Sequence, residues 1–427
     1  MRKGLLLSNV RVVEVAEGWA GPLAGLLLAD LGAEVIKVES INRMDMERGP
    51  GASAIQTGET SLFYPSYPGG TLGEKSWNCN AYFNACNFSK YGVTLDLTKS
   101  KGLQAFMRLV KVSDVFLSNM AAGVDEKLGI TYEALVKVNP QIIYLTATGY
   151  GRTGPYSKRV AMGSTIDAAA GLFGLRDYGD GDGTAVTSDP HADSISAETC
   201  AFAILAALYY RKKMGKGMFI DASMVEPSMS HIGEAIMDYT MNHRVQRSLG
   251  NRDMSMTQGC YRCKGEDEWV TISISSDEEW QRFTEVIGSP AWARDERFAS
   301  VLGRLKNQDE LDKLIEAWTI HHTKYEVMNL LQQANIAAAA VLNNADVYND
   351  PHIRERGFLD VIEDPDAGVH TYPGRLWKLG ETEMPKRSHS PCLGEHNEYV
   401  LKKIAGLTSD EILELEQEGV IGTTPVV

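Results

Sequence analysis

The sequence predicts an α/β protein in which a parallel sheet is followed by a smaller α+β domain. Two observations carry this prediction. Strand and helix patterns alternate through the first third of the chain, and the pattern changes between about residues 228 and 335. The length of 427 residues also exceeds the usual size of one domain, so two or three domains are expected.

The first βαβ unit is the clearest local pattern. Val10–Val15 has the composition of a buried strand, and Gly18–Pro22 forms a turn that opens an apolar helix ending at Gly32. Val35–Val38 is the next strand. Two apolar strands joined by one helix indicate parallel pairing with a right-handed crossover.

The remaining elements follow in order along the chain. Further strands are predicted at Val93–Leu97, Val115–Leu117, Ile142–Thr148, Met218–Ala222, Trp269–Ile274 and Ala338–Leu342. Helices are predicted at Lys101–Val112, Thr131–Val138, Ser194–Lys213 and near 277–287, 309–320 and 324–334, with a last helix starting near Thr408. Thr323 and Glu326 fit a capping box.

Residues 42–86 interrupt the alternation with a long segment rich in proline, glycine and aromatic residues. Two interpretations stay open for it. Such a loop is typical of a functional or interaction surface, but it is equally compatible with a flap packed on its own side chains.

Composition excludes several classes of function. Lys and Arg total 42 against 56 Asp and Glu, so the net charge is −14 and a nucleic-acid partner is not expected. Cys260 and Cys263 form a C-x-x-C without a second pair at zinc spacing, which predicts reduced thiols and no metal site. No run of 18 apolar residues occurs, so we expect a cytoplasmic protein without a membrane partner.

Common nucleotide and hydrolase motifs are also missing. The first βα turn, Glu17–Pro22, contains Trp19 and a proline where a dinucleotide fold needs G-x-G-x-x-G. The chain has neither a Walker A loop nor a G-x-S-x-G elbow.

Asp189 and Asp193 stand just before the long helix, and two roles are open for them. An aspartate before a helix is typically an N-cap. A carboxylate held at a helix N-terminus beside a cleft can also act as a nucleophile and form an acyl-enzyme.

Several motifs spread over nearly the whole chain resemble the class III coenzyme A transferases, the family that includes formyl-CoA and carnitine CoA-transferases and the 2-methylacyl-CoA racemases. The matching segments are Val10–Val15, Ala20–Pro22, Leu31–Glu39, Gly92–Leu97, Gly149–Tyr156, Ala203–Leu208, Gly215–Asp221 and Pro391–His396.

The resemblance implies a mechanism and a nucleophile. Counting fifteen residues back from Leu208, as in such enzymes, selects Asp193 over Asp189. Asp193 would attack an acyl-CoA thioester, take CoA as an aspartyl thioester and pass it to a carboxylic acid. The co-substrate is then a CoA thioester, and no permanently bound cofactor is expected.

The resemblance also implies CoA contacts at Trp19, Ala20, Asn119 and Lys127, the last as a partner of CoA phosphate. Two departures stand out: Ser40 replaces a frequent arginine, and Trp19 replaces a glutamine.

The substrate pocket is expected to include Met162, Asp167, Gln258 and Gly259. The segment from Met254 to Gly259 lacks the glycine-rich lid of the formyl-CoA enzyme, which argues against formyl-CoA and oxalate as substrates. Our guess for the donor is succinyl-CoA, with a bulky dicarboxylic acceptor.

Two alternatives share the resemblance. A racemase needs a His/Asp pair, and Met162 occupies the histidine position, although methionine cannot transfer a proton. A non-catalytic scaffold subunit is the second alternative, and the presence of Asp193 argues against it.

The resemblance finally implies a Rossmann-like large domain formed by 1–225 and 336–427, with a small domain at 226–335 inserted between. It also implies that two chains interlock. The second chain would be an identical copy or a homologous subunit.

Overall fold

The structure is a computed structural model that describes residues 4–49, 64–176, 191–382 and 384–426. Contacts divide these residues into two compact units. The first contains residues 4–49, 64–172, 191–237, 357–382 and 384–426, and the second contains 173–176 and 238–356.

The first unit contains a six-stranded parallel sheet, which confirms the α/β prediction. Its order is β3-β2-β1-β4-β5-β6, so the chain starts in the middle, builds one side and then crosses to the other. The strands are β1 (Arg11–Val15), β2 (Glu34–Glu39), β3 (Tyr91–Thr94), β4 (Val115–Ser118), β5 (Ile143–Thr148) and β6 (Met218–Ser223). In such sheets the point where the order reverses, here between β1 and β4, is the usual ligand crevice.

The α-helices of the described residues are α1 (Ala20–Asp30), α2 (Ala81–Asn87), α3 (Ser100–Lys111), α4 (Val124–Leu128), α5 (Tyr132–Val138), α6 (Gly163–Ala169), α7 (His191–Met214), α8 (Val225–Ser230), α9 (Gly233–Asn242), α10 (Asp277–Val286), α11 (Val301–Lys306), α12 (Gln308–Thr319), α13 (Lys324–Gln333), α14 (Asn344–Asn349), α15 (Pro351–Glu355) and α16 (Ser409–Gln417). A π-helical turn spans Tyr399–Ile404.

Helix α1 lies in the middle of the first unit, and its composition explains why. Ten of its eleven residues are buried, and it packs against α7. The helix ends where Gly32 adopts a φ of 103°, a conformation that residues with a side chain rarely take.

A buried ionic network lies under α1. The Glu14 carboxylate on β1 pairs with Lys90 at 2.8 Å and with Lys37 at 3.3 Å, and Lys37 also pairs with Asp45 at 2.8 Å. Gly25 of α1 passes so close that an added Cβ would meet the Glu14 carboxylate at 1.8 Å. Charges buried this completely are stable only when each has a partner.

Residues far along the chain complete the edge of the sheet at β3. The Asn397 side-chain oxygen accepts a hydrogen bond from the Thr94 N–H at 2.8 Å, and the Thr94 hydroxyl donates to the Gly422 carbonyl at 2.7 Å. The antiparallel pair β10 (Leu359–Asp364) and β11 (Gly368–Pro373) also belongs to this unit.

The second unit has its own core around a three-stranded antiparallel sheet. The strands are β7 (Thr257–Arg262), β8 (Trp269–Ile274) and β9 (Ala337–Ala340), in that order. Trp280, Phe283 and Leu311 are buried within this unit. The predicted capping box of Thr323 and Glu326 is confirmed at the start of α13.

The changes of unit after residues 237 and 356 come later than the predicted domain boundaries after 225 and 335. Strand pairing explains why the second change of unit comes after residue 335, because β9 forms its ladder with β8 and therefore belongs with the second unit.

Helix α7 is, among the described helices, the one with the length and apolar composition needed to cross a membrane. Its buried residues, which include Ala197, Cys200 and Ile204, pack into a core with residues of α1 and the sheet. A core helix of a folded domain has the same composition.

Candidate functional site

Asp193 lies at the N-termini of two helices. Helix α7 includes His191 as its first described residue, so Asp193 is its third, and the backbone N–H of Ala20, the first residue of α1, lies near its carboxylate. Burial raises the pKa of Asp193 to about 6; the nearby Ala20 N–H opposes the rise, and Asp167 adds to it. The side chain is half-buried in a position from which it reaches an open cleft. Asp189, the other candidate, lies outside the described residues.

The cleft has a volume of about 490 Å³ and lies where the strand order reverses. Asp193 lines it together with residues that follow β1, β4 and β5. Trp19, Asn119 and Met162 line it as well, so the structure brings four of the predicted site residues together. The crevice rule for open parallel sheets predicts this place.

Asp167 supports the N-terminal end of α7. Its fully buried carboxylate accepts hydrogen bonds from the N–H groups of His191 and Ala192, each at 3.0 Å. It therefore satisfies free N–H groups at the start of α7 and places Asp193 one residue later. Asp167 does not line the cleft in the described structure.

Asn119 fixes the turn that precedes α1. Its side-chain oxygen accepts from the Glu17 N–H at 3.0 Å, and its amide nitrogen donates to the Glu17 carbonyl at 2.7 Å. The amide is thus engaged with the backbone of the turn, so its main described contact is with the loop that presents Ala20.

Trp19 and Tyr82 form an aromatic wall of the cleft, with ring centroids 5.9 Å apart. Tyr82 comes from the aromatic segment, whose other described rings behave differently. Tyr67, Trp77 and Phe83 are buried, and the Arg48 guanidinium lies 3.7 Å from the Phe83 ring centroid. Most of the described rings of the segment are therefore buried in the first unit, Trp77 against Ile41 and Leu393, and one ring lines the cleft. Phe63 lies outside the described residues.

Glu47 is a lining residue that the sequence reasoning missed. It follows Asp45, whose carboxylate accepts from the N–H groups of Gly18 and Glu47 at 2.9 and 3.0 Å. Burial raises the pKa of Glu47, with further contributions from Asp45 and Asp193. No sequence pattern identifies Glu47 as a site residue, because only the fold brings it near Asp193.

Arg159 is the second residue that was missed. It lines the cleft three residues after Tyr156, where the quoted Gly149–Tyr156 motif stops. An arginine that closely follows a family motif was the available signal.

Lys127 lies outside the cleft. It is exposed on the short helix α4, and the neighbouring residues Val124 and Leu128 line a separate groove of about 270 Å³. This groove runs along the ends of β1 to β4 and shares Glu17 and Met120 with the cleft.

Gln258 and Gly259 belong to the second unit, on β7. The Gln258 side-chain oxygen accepts from the Ser273 hydroxyl at 3.0 Å, and Gly259 lines a polar cavity of about 590 Å³ within that unit. The structure does not unite them with the cleft of the first unit.

The described residues contain no group of three His, Cys, Asp or Glu side chains placed to hold a metal ion. In the C-x-x-C pair, Cys260 is half-buried and Cys263 is buried, and burial raises the pKa of both thiols. The titratable group that the sequence singled out and that lines the cleft is the half-buried Asp193 carboxylate.

Comparison with known proteins identifies the relatives of this chain. Succinyl-CoA–D-citramalate CoA-transferase of Chloroflexus aurantiacus is 29% identical over 415 residues, which cover 97% of this chain and 98% of that protein. The beta subunit of succinyl-CoA–L-malate CoA-transferase from the same organism is 30% identical over 420 residues, covering 98% of each chain.

A crystal structure of a CAIB/BAIF family protein from Brucella suis superposes with a TM-score of 0.81 at 28% identity, covering 94% of this chain and 99% of that chain. The model of the family described as CoA-transferase family III matches residues 7–397. The chain belongs to CoA-transferase family III.

Proposed function

We propose that this protein moves CoA from an acyl-CoA donor, succinyl-CoA, to a carboxylic acid, with Asp193 as the nucleophile. The observation that carries the proposal is the position of the Asp193 carboxylate, which lines a cleft of about 490 Å³ at the reversal point of the sheet. A carboxylate with a pKa of about 6 is ionised at neutral pH and is more nucleophilic than an ordinary one.

The proposed reaction is a sequence of acyl transfers between CoA, Asp193 and the two acids. The Asp193 carboxylate attacks the thioester carbonyl, a C–O bond forms and CoA leaves as a thiolate, which gives a mixed anhydride. The thiolate attacks the Asp193 carbonyl, releases the donor acid and forms an aspartyl-CoA thioester. The acceptor carboxylate then displaces the thiolate, and the thiolate attacks the acceptor carbonyl, which frees Asp193.

The Ala20 N–H supports these steps. It lies close enough to the Asp193 carboxyl to lower its pKa, which supports a role in stabilising the oxyanion that develops when the Asp193 carbonyl is attacked. One such donor contributes about 3–4 kcal/mol in other enzymes. The half-buried position also limits access of water, which would hydrolyse the anhydride and the thioester.

The groove beside the cleft is the proposed site for the nucleotide end of CoA. It shares Glu17 and Met120 with the cleft, so a long substrate can occupy both. The helix that carries the exposed Lys127 borders the groove through Val124 and Leu128, and this supports Lys127 as the proposed partner of a CoA phosphate.

The substrate assignment rests on the relatives. The two named relatives use succinyl-CoA with D-citramalate or L-malate, both dicarboxylic acids. A dicarboxylic acceptor is consistent with a cleft that is larger than formate requires. The racemase is disfavoured because Met162 lines the cleft where a proton-transferring histidine would be needed.

We also propose that the chain works in the cytoplasm as an interlocked dimer with a Rossmann-like large domain, formed with a copy of itself or with a homologous subunit. Large apolar side chains are exposed along α7 and the adjoining edge strand β6, including Phe202, Tyr209, Met214 and Phe219. Monomers rarely leave such a surface uncovered.

Trapping with hydroxylamine tests the nucleophile. The protein is incubated with succinyl-CoA and hydroxylamine, and peptides are examined by mass spectrometry. We expect a hydroxamate at Asp193 and none in Asp193→Asn, with Asp189→Asn as the matched control that still reacts. Full turnover in Asp193→Asn, or a hydroxamate at another residue, would overturn the proposal. Exchange of deuterium at Cα of a 2-methylacyl-CoA would favour the racemase.

A further inference from the structure

The cleft contains one basic side chain among its described residues, that of Arg159. Glu17, Glu47 and Asp193 line the same cleft, and of these Glu17 is already paired with Arg43 at 2.6 Å. The stretches 50–63 and 177–190, which the structure does not describe, contain no Lys, Arg or His in their sequence. Neither stretch can therefore add a cation to the cleft.

The guanidinium group of Arg159 is held by stacking. Its central carbon lies 3.6 Å from the centroid of the Tyr156 ring, and Tyr156 packs edge-on against Tyr150 at 5.8 Å. The backbone N–H of Arg159 also donates to the Tyr156 carbonyl at 2.9 Å. Stacking on a ring face fixes the plane of the guanidinium and leaves the N–H groups at its edge available.

These N–H groups are not paired with a carboxylate in the described part of the chain, where no ion pair or side-chain hydrogen bond of Arg159 occurs. The Arg159 side chain is exposed towards the cleft that it lines. An arginine that is oriented but unpaired matches the geometry of a carboxylate, which it can bind through two parallel hydrogen bonds.

A substrate with a second carboxylate needs such a group. A succinyl thioester and a dicarboxylic acceptor each keep one ionised carboxylate away from the reacting carbon. Glu47 and Asp193 would repel that charge in the half-buried cleft, because like charges interact strongly where water is excluded. A cation in the cleft offsets this repulsion.

We infer that Arg159 binds the remote carboxylate of both donor and acceptor, and that it makes the enzyme selective for dicarboxylic acids. This inference rests on the proposed function and names its substrate class. Arg159 acts by binding substrate and takes no part in the transfer of the acyl group.

Paired acids of equal length test the selectivity. CoA transfer from succinyl-CoA to glutarate and to valerate is measured for the wild type, Arg159→Gln, Arg159→Lys and Lys158→Gln. We expect Arg159→Gln to lower kcat/KM for glutarate by about 10- to 150-fold relative to valerate, the range for a lost hydrogen bond to a charged group. Both reactions use the same donor, so a weaker hold on succinyl-CoA lowers both rates equally and leaves their ratio unaffected.

The other variants separate charge from structure. Arg159→Lys should keep part of the preference for glutarate, because it retains the charge and loses the two-pronged contact. Lys158→Gln removes the same charge from the adjacent exposed residue, which does not line the cleft, and should keep the full preference. An unchanged glutarate-to-valerate ratio in both Arg159 variants would refute the inference while CoA transfer itself still supports the proposed function. A wild type that transfers CoA to no acid and forms no hydroxamate would refute the proposed function.

Discussion

At the scale of single residues, Asp193 is placed between two opposing influences. Burial and the charge of Asp167 raise the pKa of its carboxyl, whereas the nearby Ala20 N–H lowers it. Because only the ionised form attacks a thioester, we expect kcat/KM to fall with decreasing pH through about 6. In Asp167→Asn the repelling charge is gone, so this acidic limb should move to lower pH. Rates measured between pH 4.5 and 8 test the shift, and an identical limb in both proteins would contradict the assignment.

The same raised pKa predicts a cost in stability. The folded protein disfavours the ionised Asp193, so the penalty is complete above pH 6 and absent below the ordinary pKa of 3.8. A rise of about two pKa units corresponds to about 3 kcal/mol, and partial exposure reduces this to about 1–3 kcal/mol.

Asp193→Asn should therefore raise the free energy of unfolding by about 1–3 kcal/mol at pH 8 and leave it unchanged near pH 4. Denaturant titrations at the two pH values check this. Equal stability of wild type and variant at pH 8 would show that the carboxylate is not strained by its surroundings.

The residues also show what the sequence could and could not predict about the site. Family motifs were enough to select Asp193 and to place Trp19, Asn119 and Met162 at the site. The structure brings these four residues to one cleft. Glu47 and Arg159 were not found, because they reach the cleft through the folding of irregular segments that carry no periodic pattern. The nucleophilic role of Asp193 stays a prediction.

At the scale of secondary-structure elements, Lys90 joins three of them. Its ammonium group pairs with Glu14 on β1, donates to the Pro22 carbonyl in α1 at 2.7 Å and to the Asn87 side chain of α2 at 2.9 Å. Burial lowers the pKa of Lys90 to about 8, against the attraction of Glu14. The group therefore holds α1, and with it the Ala20 N–H, in place against the sheet.

Removing one partner of this buried pair should be costly. Lys90→Met is expected to lower the free energy of unfolding by about 3–5 kcal/mol, because Glu14 loses its nearer cation. Glu14→Gln combined with Lys90→Met should recover part of that loss, since no charge is then left unpaired. Lys101→Met, whose ion pairs with Glu414 and Glu418 are exposed, is the control. Chemical denaturation measures all three, and equal effects of the two methionine variants would contradict the role of the network.

The elements themselves were largely predictable from periodicity and capping. Trp269–Ile274 is a strand with the predicted bounds, and capping boxes start α13 and α16 as Thr323–Glu326 and Thr408–Glu411. The predicted start of α7 at Ser194 was too late, because the described part of the helix already includes His191. The helix begins earlier because Asp167, a residue distant in sequence, satisfies its first N–H groups.

At the scale of the whole molecule, the exposed apolar face of α7 predicts that a second chain covers it. The exposed fractions are 72% for Phe202 and 63% for Tyr209, both on this helix. If two chains interlock as proposed, dilution alone should not separate them, because separation requires unfolding.

Analytical ultracentrifugation should thus find two chains per particle even at nanomolar concentration. Phe202→Asp combined with Tyr209→Asp should reduce the yield of that particle, whereas Leu302→Asp, an equally exposed position in the second unit, should leave it intact. A monomer at micromolar concentration would rule out the assembly.

The dependence of β3 on distant residues has a consequence for biosynthesis. Thr94 is bonded to Gly422, and 328 positions separate them. At about 5–20 residues per second, a ribosome needs roughly 16–66 s to travel from one to the other. During that interval the nascent sheet has an open edge at β3. Chaperone protection of the emerging chain is therefore needed until the residues around Gly422 have been translated.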